Sequence, residues 1–245
     1  MLALQYLALD VLQLGNAVAH SWVDSLWCET PSMLGYPRSY LNRTESRAAL
    51  GNVAFDRAMT YRIENYKSLS PLCSPSQEHP RQFDRYPRLT CPLGAIVHFA
   101  YSPNGHVAKD RCQPHDPRGC DGIYPPPTTW YVLWHMTRNK TLQRGDLPKP
   151  FNGTLESNTV PLVVIGQGPY DDGVCGEEPK NGKARLGANF PCRGTFQLPK
   201  NATNQRMSLI WFWAFDRTYG VGEEYTTCFD IDVLDASKKA SKSPR

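Results

Sequence analysis

The chain has 245 residues, of which 40% are hydrophobic, 20% charged and 11% aromatic. This aromatic content supplies ample surface to bury, which excludes a chain that is disordered throughout. No apolar run reaches the roughly 18 residues that a membrane-spanning helix requires. The net charge of +4 arises in the last ten residues, so the preceding 235 carry 23 basic and 23 acidic residues. That balance gives nucleic-acid binding no electrostatic basis, and we interpret residues 236–245 as a disordered basic tail.

Residues 1–19 are predicted to be a secretory signal peptide. The apolar stretch Leu2–Leu14 has about the right length, and Ala17-Val18-Ala19 has the small-x-small pattern after which signal peptidase cleaves. An amphipathic first helix is the alternative, because the segment has no Lys or Arg and Asp10 interrupts its apolar core. Cleavage after Ala19 would make His20 the first residue of the mature chain.

Short β-rich runs bounded by turn residues follow, and helical periodicity is scarce after residue 20. The apolar run at 207–215 predicts a central strand inside a sandwich. In the last run, apolar residues alternate with Asp230 and Asp232, which is typical of a strand with one solvent-exposed face. The pattern predicts an all-β fold, a β-sandwich over residues 20–235 with long disulfide-stapled loops. Its predicted strands lie near Met59–Glu64, Gly94–Tyr101, Trp130–His135, Val160–Ile165, Arg206–Asp216 and Tyr225–Leu234.

Two features support a secreted, extracellular protein. Eight cysteines form an even set with no CxxC pair, which fits disulfides in an oxidising compartment better than a zinc site. The short loops Cys112–Cys120 and Cys175–Cys192 are the predicted pairings. Four Asn-x-Ser/Thr sequons predict a glycosylated surface, at Asn42, Asn139, Asn152 and Asn201.

The candidate chemistry begins at the predicted cleavage site. An N-terminal histidine offers its α-amine and its ring Nδ1 to one metal ion, and a divalent metal can displace the proton of the amine at neutral pH. Nitrogen ligands favour copper. One further histidine would complete a three-nitrogen site, and His106 is the leading candidate because it follows a predicted strand and an Asn-Gly turn. The other candidates are His98 and His135 in strands and His79 and His115 in polar loops.

Four short segments of the chain recur in the same order in a known family. They are HSWV at 20–23, GYPR at 35–38, NGHV at 104–107 and YTTC-D-D-V at 225–233. Through them the chain resembles lytic polysaccharide monooxygenases, which are secreted copper enzymes with an immunoglobulin- or fibronectin-like β-sandwich. The likeness is greatest to a group of uncharacterised secreted fungal proteins.

The resemblance implies a copper site built from residues far apart in the sequence. His20 would bind copper through its α-amine and Nδ1, and His106 would supply the third nitrogen. Tyr225 would occupy the axial position close to the metal. Glu223 stands where related enzymes hold a Gln or Glu that orients the oxygen co-substrate, so Tyr225 and Glu223 are the implied catalytic residues. Without the resemblance, Tyr225 is interpreted as a packed strand aromatic and Glu223 as a solvated acid.

The implied function is oxidative cleavage of a glycosidic bond in a polysaccharide by a monomeric enzyme that draws electrons from a donor. Copper is required because no ordinary side chain performs one-electron oxygen chemistry. Trp22, Tyr36 and Tyr124 are predicted to be exposed and to stack on sugar rings.

Three other classes of protein remain open. They are a non-catalytic copper-binding protein, a metal-free carbohydrate-binding module and a hydrolase. The hydrolase has the weakest support, because no G-x-S-x-G or H-E-x-x-H is present and Asp171-Asp172 is typical of a solvated turn.

Overall fold

The computed structural model describes residues 21–29, 33–63, 69–102, 128–137, 141–147, 150–151, 154–155, 161–176, 187–188, 191–202, 206–215 and 223–234. Two helices occur within them, α1 (Arg43–Leu50) and α2 (Asn52–Met59), with a 3-10 turn at Arg144–Asp146. The strands of these segments are β1 (Trp22–Cys28), β2 (Leu34–Gly35), β3 (Tyr61–Ile63), β4 (Leu89–Pro92), β5 (Ile96–Ser102), β6 (Thr129–His135), β7 (Pro150–Phe151), β8 (Thr154–Leu155), β9 (Leu162–Pro169), β10 (Cys175–Gly176), β11 (Gly187–Ala188), β12 (Cys192–Gln197), β13 (Arg206–Ala214) and β14 (Glu224–Leu234).

Two sheets form the body of the molecule. The first has the strand order β12-β5-β1-β2, and the second has the order β3-β14-β13-β6-β9. Neighbouring strands in both orders are antiparallel, whereas β4 adds to β14 in parallel. Two-stranded pairs form between β7 and β8 and between β10 and β11. Strand β13 lies between β14 and β6, so the apolar run at 207–215 is the predicted central strand.

The main hydrophobic core lies between the two sheets. Large side chains of the first sheet, such as Phe99, pack in one cluster with Trp211 and Phe229 of the second sheet. All three are buried, and each such side chain stabilises the fold by about 1.5–3 kcal/mol. A second cluster, which includes Phe212 and Leu133, covers the opposite face of the second sheet. The all-β sandwich predicted from the sequence is therefore confirmed, and β13 is apolar on both faces because both are covered.

All six predicted strands are present, with ends shifted by a few residues. The described strands that were not predicted are β1, β4, β12 and the two-residue strands β2, β7, β8, β10 and β11. In β1 the register shifts between Val23 and Ser25, which breaks the period-two pattern of a strand. The two short helices were also missed, although Asn42 caps α1 by accepting hydrogen bonds from the backbone N–H groups of Thr44 and Glu45.

The prediction of one solvent-exposed face for β14 is wrong at Asp230, which is fully buried. The segment that contains Arg38 crosses this face, and the Arg38 N–H donates to the carbonyl of Cys228 at 3.1 Å. The Arg38 guanidinium then binds the Asp230 carboxylate through Nε at 2.9 Å and Nη2 at 2.7 Å. At Asp230 the charged side chain on this face therefore meets an opposite charge instead of water.

Disulfides join Cys28 to Cys91, Cys73 to Cys228 and Cys175 to Cys192. The third is one of the two short-loop pairings predicted from the sequence, and the other, Cys112–Cys120, lies outside the described residues, as do the predicted signal peptide and basic tail. Disulfides are typical of proteins from oxidising compartments. None of the helices in the described segments is long and apolar enough to cross a membrane.

Candidate functional site

The predicted nitrogen ligands, His20 and His106, lie outside the described residues, as do Tyr124, Asn139 and Asn152. The described residues nearest to the two histidines in sequence are Ser21, which directly follows His20, and Ser102, which ends β5. The surroundings of these two serines therefore define where the two segments leave the described sandwich.

Ser21 and Ser102 lie side by side at one end of the first sheet. Trp22 is paired with Ser102 in the β1–β5 ladder. The Ser21 hydroxyl donates to the carbonyl of Ser102 at 2.8 Å, and both serines are buried. The segment that ends before Ser21 and the segment that begins after Ser102 thus start from adjacent points of the sandwich.

Tyr170, directly after β9, connects this point to the second sheet. Its hydroxyl donates to the Ser21 hydroxyl at 2.8 Å, and its ring stacks on Trp213 with a centroid distance of 3.6 Å and an interplanar angle of 11°. The Tyr101 hydroxyl donates to the Tyr170 carbonyl and fixes the backbone there. The Ser21 hydroxyl therefore accepts one hydrogen bond and donates another, and the two together fix the orientation of the hydroxyl group.

Tyr225 continues the aromatic stack at the start of β14. It is paired with Trp213, and their rings stack at 5.5 Å with an interplanar angle of 20°. The Tyr225 hydroxyl donates to Oε2 of Glu223. Burial, and then the hydrogen bond to Glu223, raise the pKa of Tyr225 far above its usual range, so this residue is a neutral phenol at physiological pH.

Glu223 is held from its other side by Arg62, whose Nη1 lies 3.1 Å from Oε1 of the carboxylate. Both side chains are partly exposed, at 32% for Glu223 and 40% for Arg62. The two predicted catalytic residues are thus brought together, with an arginine that the sequence analysis did not single out. Arg62 lies opposite Tyr225 in the β3–β14 ladder, and no sequence motif marks that pairing.

Three aromatic residues were predicted to contact sugar, and one of them, Trp22, is buried. Trp22 is fully buried, with its ring edge-on to Phe55 of α2 at 6.0 Å, so the prediction that it is exposed to stack on a sugar is wrong. The reason is helix α2, which the sequence analysis missed. Tyr36 is half-buried against Tyr40 and Tyr86 and remains a prediction, like Tyr124.

The other described histidines lie away from Tyr225. His98 is on the outer face of the first sheet, where it stacks on Trp27 at 5.5 Å and its Nε2 lies 3.4 Å from Glu29. His135 is paired with Ser208, five positions along β13 from Trp213, which corresponds to about 17 Å.

His79 and His135 line a cavity of about 370 Å³ with Glu78 and Arg206. Among the described residues, neither histidine belongs to a group of three or more potential metal ligands. The cluster that does have such distances is Asp172 with Cys175 and Cys192, whose sulfurs are joined in a disulfide. Thiolate ligation is therefore excluded there.

The described residues form a disulfide-bonded β-sandwich with hydroxyl, phenol and carboxylate groups at one end. The chain belongs to the family described as a domain of unknown function (DUF7492), whose profile matches residues 17–245. No curated protein matches the chain.

Three solved structures are similar to the chain at low identity. CvAA9A has 13% identity and a TM-score of 0.39, with 89% of this chain and 79% of that chain covered. A cellulose-active polysaccharide monooxygenase from M. thermophila has 9% identity and a TM-score of 0.36, with 88% and 78% covered. A chitin-binding domain from Burkholderia pseudomallei has 12% identity and a TM-score of 0.35, with 88% and 100% covered. All three TM-scores are below 0.5.

Proposed function

We propose that the protein is a secreted copper-dependent monooxygenase that oxidatively cleaves glycosidic bonds of a polysaccharide. The copper ion would be held by His20 and His106 beside Tyr225. The observation that carries this proposal is the hydrogen bond between Ser21 and Ser102, because it joins the two segments that lead to these histidines at the end of the sandwich where Tyr225 lies.

Covalent geometry supports a shared site for the two histidines. Consecutive Cα atoms are about 3.8 Å apart, so the Cα atom of His20 must lie within that distance of Ser21. His106 is four residues after Ser102, a reach of up to about 14 Å. Since Ser21 and Ser102 are hydrogen-bonded to each other, both histidines can reach one point at this edge.

The donor set fits copper. An α-amine and two imidazoles are nitrogen ligands of the kind that copper prefers among divalent metals. The neutral Tyr225 phenol donates a hydrogen bond to Glu223 and keeps a lone pair on its oxygen, which suits a group close to a metal without a firm bond to it. Copper, when bound, would supply the one-electron chemistry with an oxygen co-substrate that protein side chains lack.

The chain's own residues would orient groups, hold protons and exclude water. The Trp213 ring, stacked between Tyr170 and Tyr225, closes the interior side of the edge to water. Glu223 accepts a hydrogen bond from the Tyr225 hydroxyl at Oε2 and one from Arg62 at Oε1, so its carboxylate is fixed at the partly exposed rim. From there it can bind a polar co-substrate or exchange a proton with it.

Export would expose the sequons to glycosylation. Asn201 is exposed, which suits an acceptor site. At Asn42 the side-chain oxygen caps α1, so its nitrogen remains for a glycan. The three disulfides agree with an oxidising compartment.

The decisive experiment is a calorimetric Cu(II) titration of protein secreted with its native processing, with the N-terminus identified by mass spectrometry. We expect one-to-one binding, followed by release of oxidised oligosaccharides when a reductant and a suitable polysaccharide are added. A chain that begins at His20 but does not bind copper would overturn the proposal and leave a metal-free carbohydrate-binding module. Copper binding with no oxidised product from any polysaccharide would favour the non-catalytic copper-binding protein.

A further inference from the structure

We propose that Ser21 is a positioning residue, whose hydroxyl fixes the direction in which the chain passes from β1 to His20. This inference rests on the proposed function. It assigns a role in the copper site to a residue that is not a ligand and that the sequence analysis did not single out.

The Ser21 hydroxyl connects separate segments of the chain. The Ser21 hydroxyl binds the Ser102 carbonyl and the Tyr170 hydroxyl, both at 2.8 Å. Each of these groups leads to a different part of the proposed site: His106 follows Ser102 in sequence, and Tyr170 stacks on Trp213, which stacks on Tyr225. One hydroxyl therefore links the segments that lead to the three proposed metal-contacting residues.

The hydrogen bonds of Ser21 lie in the protein interior. Ser21 is fully buried and Tyr170 is 2% exposed. Water cannot readily replace either hydrogen bond at such a position, because a buried polar group depends on its protein partners. Replacing Ser21 with alanine would remove an acceptor of the Tyr170 hydroxyl and a donor to Ser102 together, one residue from the proposed metal ligand.

Ser21 is directly next in sequence to the backbone nitrogen that would bind copper. His20 would bind through its α-amine, which belongs to the main chain and has no side-chain rotamers with which to compensate for a shift. A small rotation of the backbone at Ser21 therefore moves the amine directly. Neighbours that hold metal ligands typically change metal affinity by about 10- to 100-fold when they are replaced.

The test compares Ser21→Ala, Tyr170→Phe and the double variant with the wild type. We expect Ser21→Ala to weaken Cu(II) binding by about 10- to 100-fold and to change the Cu(II) electron paramagnetic resonance spectrum. Tyr170→Phe keeps the ring stacked on Trp213 and should produce a smaller change in the same direction. The double variant should be little worse than Ser21→Ala, because both changes remove the same hydrogen bond.

Ser208→Ala is the matched control, since its hydroxyl donates to Asp230 at 2.8 Å at the other end of β13. It should lower the melting temperature and leave copper affinity and spectrum unchanged. Mass spectrometry must show that every variant begins at His20, because the substitution lies next to the predicted cleavage site.

The outcomes separate this inference from the proposed function. A wild-type chain that begins at His20 and does not bind copper removes both. Wild-type binding together with an unchanged affinity and spectrum in Ser21→Ala, even at a lower melting temperature, overturns the positioning role alone. If Ser21→Ala does not fold, Tyr170→Phe decides by the same two readouts.

Discussion

At one end of the paired strands β13 and β14 the side chains are stacked aromatic rings, and at the other end they are arginines and aspartates. The charged end is an alternating network in which Asp230 binds Arg38 and lies 3.9 Å from Arg88, while Asp232 binds both Arg88 and Arg206. Each aspartate faces two arginines, so these charges satisfy one another and favour a structural role.

The aromatic end is arranged differently. Tyr170, Trp213 and Tyr225 form a stack, and the hydroxyl groups of its two tyrosines point to Ser21 and Glu223. Ser21 directly follows a proposed ligand in sequence, and Glu223 is at the partly exposed rim. In this ladder, paired charges therefore favour a structural role, whereas the candidate site is marked by buried hydroxyl groups next to the proposed first residue of the mature chain.

The largest expected effect tests the aromatic end. A residue left in front of His20 turns its α-amine into an amide, and His20→Ala or His106→Ala removes an imidazole. Each change should weaken Cu(II) binding by several orders of magnitude, where every tenfold loss is about 1.4 kcal/mol. Calorimetry measures this loss of Cu(II) affinity. The control is His98→Ala, on the outer face of the first sheet. Unchanged copper binding in an N-terminally extended chain would refute ligation by the amine.

The second effect belongs to the charged end. Asp230→Asn leaves the buried Arg38 guanidinium without its countercharge, and breaking a buried pair costs about 3–5 kcal/mol. We expect this loss in the free energy of unfolding, measured with denaturant, and no change in copper affinity of the folded protein. Asp84→Asn, at an exposed turn, is the control and should be nearly neutral. Weakened copper binding in folded Asp230→Asn would contradict the separation of the two ends.

The third effect concerns Tyr225, at the aromatic end of the two strands. Tyr225→Phe keeps the ring in the stack but removes the hydrogen bond to the Glu223 carboxylate, so we expect a loss of about 1–2 kcal/mol in unfolding free energy. It should also change the Cu(II) electron paramagnetic resonance spectrum. Tyr61→Phe removes a hydroxyl that donates to the Pro71 carbonyl at 3.0 Å and should leave the spectrum as it was. Identical spectra for Tyr225→Phe and wild type would place the phenol away from the metal.

The smallest effect is a pH dependence at the charged end. Burial alone would raise the pKa of Asp232, but hydrogen bonds from Arg206 and Arg88 outweigh it and lower the pKa. The stability from this carboxylate is therefore present above its usual pKa near 4 and is lost as the pH falls through the lowered value. Because Asp232 is partly exposed, solvent screening limits the effect to under about 1 kcal/mol. Asp232→Asn should unfold more easily than wild type at pH 7, and the difference should shrink below pH 4.

The sequence predicted the long strands because their patterns are local. The apolar run of β13 and the alternation in β14 can be seen within ten residues. The Ser21–Tyr170 hydrogen bond joins residues 149 positions apart, and no local pattern records it. Burial of Trp22 depends in the same way on α2, which lies more than thirty positions further along the chain. Tyr225 and Glu223 could be proposed as site residues through a resemblance to a known family. Arg62 could not, because its place beside them depends on the pairing of β3 with β14.

The burial of Ser21 and Trp22 has a consequence for biogenesis. Both residues are fully enclosed, and they are the second and third residues of the mature chain if cleavage follows Ala19. A protease needs an accessible, extended backbone around the bond that it cuts. Leader removal should therefore precede the docking of β1 onto β5, so a chain that folds before it is processed would keep its leader and lack the free amine of His20.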